Sequence, residues 1–250
     1  MSESKSRQTF ELPIEGFDLG FEGVVPPGRV AKLLETLRWR IARGGEHPIL
    51  GTFKAGVLRA QTLELTADVT MGDVLVVELW LSKVGRTSLE FSHAFRKSDG
   101  TEIGRATCTI VAIGDAGPAP LPPGLAEHVS GESAIVAPPV EAPDPARSYV
   151  RRITVRPSDL DLFRHVNQSR YVDFADDTRY FASHEGHEAG FSDRVGLVSV
   201  SYESELKLGQ EVEALLELRE DGTRRFGIRR VGEARFATRG VVAPRIRGEA

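Results

Sequence analysis

The sequence predicts an α+β protein built from two copies of one unit, each an antiparallel sheet wrapped around a single helix. Three observations predict this. First, "FDLGFEGVVPPGRVAKLLETLRWR" (Phe17 to Arg40) aligns without a gap to "SDLDLFRHVNQSRYVDFADDTRYF" (Ser158 to Phe181) at a shift of 141. Asp18 meets Asp159, Leu19 meets Leu160, Val25 meets Val166, Arg29 meets Arg170, Glu35 meets Asp176 and Arg38 meets Arg179. Second, the same order of elements follows on both sides, with "TMGDVLVVELWL" meeting "KLGQEVEALLEL" and "RATCTIVAI" meeting "RFATRGVVA". Third, the stretch from Gly114 to Arg147 between them holds eight of the fourteen prolines. It has neither helical nor strand period and reads as an extended, partly polyproline-II connector rather than core. The units are residues 10–113 and 148–247, joined by 114–147.

Each unit opens on a short strand or loop and then one helix of about four turns. In the first, "GRVAKLLETLRWRIAR" carries Val30, Leu33, Leu34, Leu37 and Ile41 as an apolar stripe at helical spacing. Pro26 and Pro27 stand just before it, Gly44 and Gly45 just after. The second helix runs from about Gln168 to Ala182. Tyr171, Phe174, Ala175, Thr178 and Phe181 or Ala182 form its stripe, with Asn167 placed to cap it. Three or four strands follow in each unit, with hairpin signals at Asp99-Gly100 and Asp221-Gly222. A helix followed by a run of antiparallel strands gives two layers.

The bulk chemistry excludes several classes. Net charge is −4, so nothing recruits nucleic acid or an anionic membrane by charge alone. No apolar run approaches the roughly 20 residues of a membrane span. The polar start "MSESKSRQTF" lacks the apolar core of a signal peptide, which points to a cytoplasmic protein with a floppy N-terminal tail. The single cysteine, Cys108, sits in an alternating strand-like run and reads as a packed thiol.

"SDLDLFRHVNQSRYVDF" (Ser158 to Phe174) gathers two acids, a histidine and an asparagine at the head of the second helix. That element order, with "D-x-D-x-x-x-H-V-N" at the helix head, resembles the hotdog fold. The duplicated form resembles the acyl-ACP thioesterase branch of the hotdog thioesterases. The resemblance implies a double hotdog that hydrolyses an acyl thioester, with acyl carrier protein or CoA as the acyl carrier. No metal or cofactor is expected beyond the phosphopantetheine or CoA of the substrate. Matched position by position, the second acid and the histidine belong to the family's catalytic set, which implies Asp161 and His165. A family glutamate in the strand after the helix matches Glu205 in "SYESELKLG". Within a strand Glu203 and Glu205 share a face, so the choice between them stays open.

The chemistry needs a base or nucleophile, an oxyanion site and an apolar slot. Asp161 serves as base or nucleophile, and His165 orients water or donates to the developing charge. Backbone N–H groups around Val166 to Ser169 offer an oxyanion site at the helix start. Asn167 either caps the helix or binds the thioester carbonyl. Val166, Gln168, Phe163 and Tyr171 are the expected substrate contacts. Where the family's plant-type enzymes carry an asparagine, this chain has Phe163, so Asn167 or the Gln168 amide inherits that work, or a carboxylate acts alone. Asp159 and Asp161 share a face if the chain is extended, and one is then raised by the other. Asp173, Asp176 and Asp177 read as helix-face charges paired with Arg170 or Arg179.

The first unit has lost the constellation: Gly20 replaces Asp161 and Val24 replaces His165. It is left to supply an acyl-chain wall from Trp39, Phe53, Leu58, Trp80 and Leu81, each of which also reads simply as core. Of the remaining histidines, His47 is in a loop, His93 reads as a strand-surface residue and His128 lies in the connector. The His184/His187 pair lacks further ligands at metal spacing. Arg224, Arg225, Arg229 and Arg230 either face solvent on a strand or greet a CoA phosphate or an acidic carrier protein. Two other functions fit the same residue types: a non-catalytic acyl-binding module and a hotdog dehydratase of 3-hydroxyacyl thioesters. Exposed sheet edges leave a homodimer possible.

Overall fold

A computed structural model of the 250-residue chain describes residues 7–44, 56–187 and 194–245. The chain divides into two units, Met1–Ala137 and Pro138–Ala250. The first contains β1 (Arg7–Pro13), α1 (Pro27–Gly44), β2 (Gly56–Leu65), β3 (Val74–Val84), β4 (Ser88–Lys97), β5 (Glu102–Gly114) and the two-residue β6 (Gly117–Pro118). The second contains β7 (Tyr149–Thr154), α2 (Gln168–His184), β8 (Val195–Tyr202), β9 (Glu211–Leu218), β10 (Arg224–Arg230) and β11 (Phe236–Pro244). Strands neighbour one another in the order β1-β3-β4-β5-β2 in the first unit and β7-β9-β10-β11-β8 in the second. All these pairings are antiparallel. The same path is traced twice, with one helix on each sheet.

Helix α1 starts at Pro27, inside the first turn, where a missing N–H costs nothing. Val30, Leu34, Leu37 and Ile41 are buried in one cluster with Leu63, Leu65, Phe91 and Phe95 from the sheet, and Leu33 packs against it. Each fully buried leucine contributes about 1.5–3 kcal/mol. In α2 the buried face is Tyr171, Phe174, Ala175, Thr178 and Ala182. Phe181 instead faces outward, its ring under the Arg151 guanidinium at 4.0 Å. Both predicted hairpins form: the carboxylates of Asp99 and Asp221 accept the amides two residues on, and Gly100 and Gly222 take positive φ.

The duplication extends to individual hydrogen bonds. A 3-10 turn, Gly16–Asp18 in one unit and Pro157–Asp159 in the other, precedes each helix. Asp18 accepts the Glu15 amide at 2.9 Å and Arg29 Nε at 2.6 Å. Asp159 accepts the Arg156 amide at 2.9 Å and Arg170 Nε at 3.0 Å. Gly20 N donates to Val24 O, and Asp161 N to His165 O, both at 2.8 Å. Residues 141 positions apart therefore hold the same turn.

Four expectations change. The proline-rich stretch is not wholly outside the core, because the apolar side chain of Leu125 is buried in the first unit's cluster. The Trp80 indole N–H donates to Glu132 O at 2.9 Å and Ser92 Oγ accepts the Ala134 amide at 3.0 Å, tying that end to the first unit. In the second unit, the Asp144 amide donates to Glu217 at 3.0 Å. Trp80 points away from the helix-side cluster and carries the Arg7 guanidinium on its ring at 4.6 Å, while Leu81 is in the cluster. Leu58 packs against that cluster and Trp39 is partly exposed. His93 is not on the surface: strand alternation sets it between Phe91 and Phe95 on the helix side, fully buried. Arg224 is buried too, and the other arginines of that run are engaged, Arg225 with Glu141, Arg229 with Glu213 at 3.0 Å and Arg230 with Glu233 at 3.3 Å. Phe53 and His47 lie outside the described residues. Among the described residues, no helix is long and apolar enough to cross a membrane.

Candidate active site

The stretch between the 3-10 turn and α2 folds back on itself. Leu160 and Val166 form an isolated antiparallel bridge, and the five residues between them make a tight turn. Asp161 shapes it. Its Oδ1 accepts the amides of Phe163 at 2.9 Å and His165 at 3.2 Å, and its carbonyl accepts the Arg164 amide at 3.1 Å. Arg164 takes φ 65°, where its counterpart in the first unit, Gly23, takes φ 75°. Leu162 and Phe163 are exposed at the tip. Phe163 is thus at the rim, and nothing in the turn stands in for the family's asparagine at this position.

His165 leaves the turn toward the segment after β8. Its Nε2 is 3.0 Å from Oε2 of Glu205. The pair remains reachable, with side chains 33% and 52% exposed. Three contacts set Glu205 there. The Val166 amide donates to Leu206 O at 2.9 Å, the Leu206 amide donates to Tyr171 Oη at 3.2 Å, and Arg230 donates to the Glu205 carbonyl. Tyr171 is buried, stacked edge-on against Tyr202 with centroids 5.6 Å apart, and burial pushes its hydroxyl pKa up. It acts by holding the segment that carries Glu205. Arg230 was legible in the sequence only as part of a basic run, and its positioning contact depends on the β10–β9 register.

The structure separates the two glutamates. Strand β8 ends at Tyr202, so the period-2 argument does not apply beyond it. The amides of both Glu203 and Ser204 donate to Ala237 O, which turns the chain. Glu203 pairs with Arg239 Nε at 2.5 Å, and Glu205 faces His165.

The acids around them are engaged otherwise. Burial pushes the Asp159 carboxyl up, but hydrogen bonds from the Arg156 side chain and amide and from Arg170 prevail and hold it below the usual carboxylate range. Asp173 pairs with Arg170 at 2.5 Å, Asp176 with Arg179 at 2.9 Å and Asp177 with Arg151 at 3.8 Å. Burial raises the Asp173 carboxyl despite Arg170.

At the helix start, the amides of Val166, Asn167 and Ser169 are consumed by Leu206 O, Asp159 O and the Asn167 side chain. Asn167 is the N-cap, its Oδ1 also accepting Ser169 Oγ at 2.7 Å. Gln168 differs. Its carbonyl accepts Tyr202 Oη at 3.2 Å, yet both atoms of its side-chain amide are buried without a partner. An open depression of about 560 Å³ lies at the other end of α2, lined by Tyr149, Ala182 and His187 and by none of these residues. Among the described residues, no group of three His, Cys, Asp or Glu side chains is placed to hold a metal ion.

A duplicated helix-on-sheet unit with a histidine–carboxylate pair at the head of its second helix defines an acyl-thioester enzyme of double-hotdog form. Residues 143–236 match the acyl-ACP thioesterase C-terminal domain, and residues 22–103 match the thioesterase superfamily. The chain belongs to the hotdog thioesterases, in their duplicated acyl-ACP thioesterase form, and is a thioester hydrolase. Among solved structures it is similar to an acyl-ACP thioesterase from Bacteroides thetaiotaomicron, with 20% identity, 97% of this chain and 99% of that one covered, and a TM-score of 0.82. It is similar to the 12:0-ACP thioesterase from Umbellularia californica, with 16% identity, 95% and 96% covered, and a TM-score of 0.79. A MaoC-like dehydratase shares the fold at 10% identity, 97% and 98% covered, and a TM-score of 0.64. No curated protein sequence matches the chain significantly.

Proposed function

We propose that the protein releases a carboxylic acid from an acyl group carried on acyl carrier protein or CoA, with water activated at the His165–Glu205 pair. The observation that carries this reading is the 3.0 Å contact between His165 Nε2 and Glu205 Oε2 beside the head of α2. Water held at the pair gives one proton to it and attacks the thioester carbonyl carbon. The free oxygen of Asp161, which has no partner among the described residues, helps hold that water. The other carboxylate oxygen fixes the turn that presents His165. The tetrahedral oxyanion forms against the start of α2, where the macrodipole favours negative charge and the Gln168 side-chain amide is the unpaired donor. Gln168 thereby takes the donor role, while Asn167 caps the helix through its Oδ1. Collapse breaks the C–S bond, the pair returns its proton to the departing sulfur, and the acid product ionises. No cofactor enters the scheme.

The test is free-thiol release from acyl-CoA thioesters of graded length and from the same acyl groups on carrier protein. Turnover reduced by about 10²–10⁴ in both Asp161→Asn and His165→Ala supports the reading. A 3-hydroxyacyl thioester that yields an enoyl product and no thiol would refute it in favour of dehydration.

A further inference from the structure

The first unit contains a buried polar cluster that the hydrolysis does not use. Gln61 on β2, Cys108 on β5 and Phe91 on β4 lie side by side in register, and the next rank on the same face is Leu63, Ala106 and His93. This is the face turned to α1, since Leu63, Phe91, Ala106 and Cys108 share a cluster with Leu34 and Leu37. Arg38, buried on α1, is hydrogen-bonded to the Cys108 side chain, and its charge acts on His93. Arg38, Gln61 and His93 are all more than nine-tenths buried. Five of their polar atoms have no hydrogen-bond partner: Arg38 Nη1, Gln61 Nε2 and Oε1, and His93 Nδ1 and Nε2.

Such a cluster is costly as it stands. An unpaired buried polar group costs about 1–3 kcal/mol, and an unpaired buried charge more. The second unit shows how the fold satisfies the same arginine. Arg179, the counterpart of Arg38, is buried and neutralised by Asp176 at 2.9 Å. In the first unit Glu35 stands at the matching position, but Arg38 has no ion pair among the described residues. An anion would satisfy this set: Arg38 carries the positive charge, Gln61 and the imidazole carry unpartnered polar atoms, and Ala106 and Cys108 are the small side chains of those ranks.

We propose that the interior of the first unit binds the carboxylate of an alkyl chain, with Arg38 as its counter-ion and Gln61 and His93 as further hydrogen-bond partners. The carboxylate has two sources: a free alkanoate, the product class of the reaction proposed above, or the distal end of a dicarboxylic acyl thioester. The site itself does not depend on where hydrolysis occurs.

The test uses full-length protein carrying Asp161→Asn, so that no ligand is consumed. Calorimetry compares alkanoates with alkanols of equal length, and ω-carboxyacyl-CoA with plain acyl-CoA. The expected result is a carboxylate preference of about tenfold or more. Arg38→Met abolishes it and Arg38→Lys restores part of it. Preference in the first comparison assigns the free acid, and in the second the distal carboxylate. The His93 imidazole resonances shift on binding, a response that a purely structural role for Arg38 would not give. Should Arg38→Met fail to fold, Gln61→Leu replaces it, with a smaller loss expected. Equal binding in both comparisons overturns the proposal, leaving a polar cluster satisfied by water alone. So does a preference that survives Arg38→Met and disappears in His165→Ala, because the ligand would then sit at the reaction site.

Discussion

The carboxylate of Asp159 is fully buried, and Arg170 closes on its Oδ1 with Nη2 at 2.8 Å and Nε at 3.0 Å. Together with Arg156 this lowers the folded-state pKa of Asp159 against the opposing effect of burial. A lowered carboxyl pKa stabilises the protein above the unfolded value of about 4 and ceases to do so as pH falls through the folded value. Asp159→Ala should cost about 1–3 kcal/mol at neutral pH, because the Arg156 amide and Arg170 lose a buried acceptor while Arg170 keeps Asp173. Urea unfolding at a series of pH values checks it, and the deficit should shrink below the carboxylate range.

Arg164 occupies a backbone conformation that its first-unit counterpart fills with glycine. A left-handed non-glycine residue costs roughly 1–2 kcal/mol. Arg164→Gly should leave Tm unchanged or raise it slightly, and Arg164→Val should lower it. Gly23→Val should lower it as well. Thermal unfolding of the three variants decides this.

His93 is held neutral. Burial, and after it the Arg38 charge, brings its pKa down to about 3. Its folded-state pKa lies below the unfolded value of about 6.5, so the unfolded chain binds the proton first. Its contribution is complete above about pH 6.5 and is lost as pH falls toward 3, by at most about 1.4 kcal/mol per unit. His93→Leu should flatten the stability profile of ligand-free protein across that window. An unchanged slope would mean that His93 is already protonated in the fold.

Asn167 and Gln168 are adjacent and should fail differently. Asn167→Ala removes a cap and costs about 1 kcal/mol of stability. Gln168→Ala should keep Tm but lower kcat by about 10²–10³, as loss of an oxyanion donor does. Paired thermal and kinetic measurements on the two variants separate the roles.

Much of this was legible in the sequence because the duplication is local. The 141-residue shift pairs Asp18 with Asp159 and Arg29 with Arg170, and these residues make the same turn. Helix stripes and Asp-Gly turns follow from periods and dihedral preferences set by near neighbours. What the sequence left open depends on where strands stop and what lies across them. The choice between Glu203 and Glu205 turned on β8 ending at Tyr202. His93 read as surface because alternation alone does not say which face of β4 meets the helix. The contact of Arg230 with the Glu205 carbonyl, 25 residues away in the chain, is set by folding at a distance rather than by any motif.

The proposed mechanism assigns the work with His165 to Glu205 and not to Glu203. Thiol release from one good acyl thioester, measured in Glu205→Gln and Glu203→Gln side by side, separates the two. A loss of about 10²–10⁴ in kcat is expected for Glu205→Gln. Glu203→Gln, which breaks only the pair with Arg239, should retain activity near that of the parent. Full activity in Glu205→Gln, or equal loss in both, would contradict it.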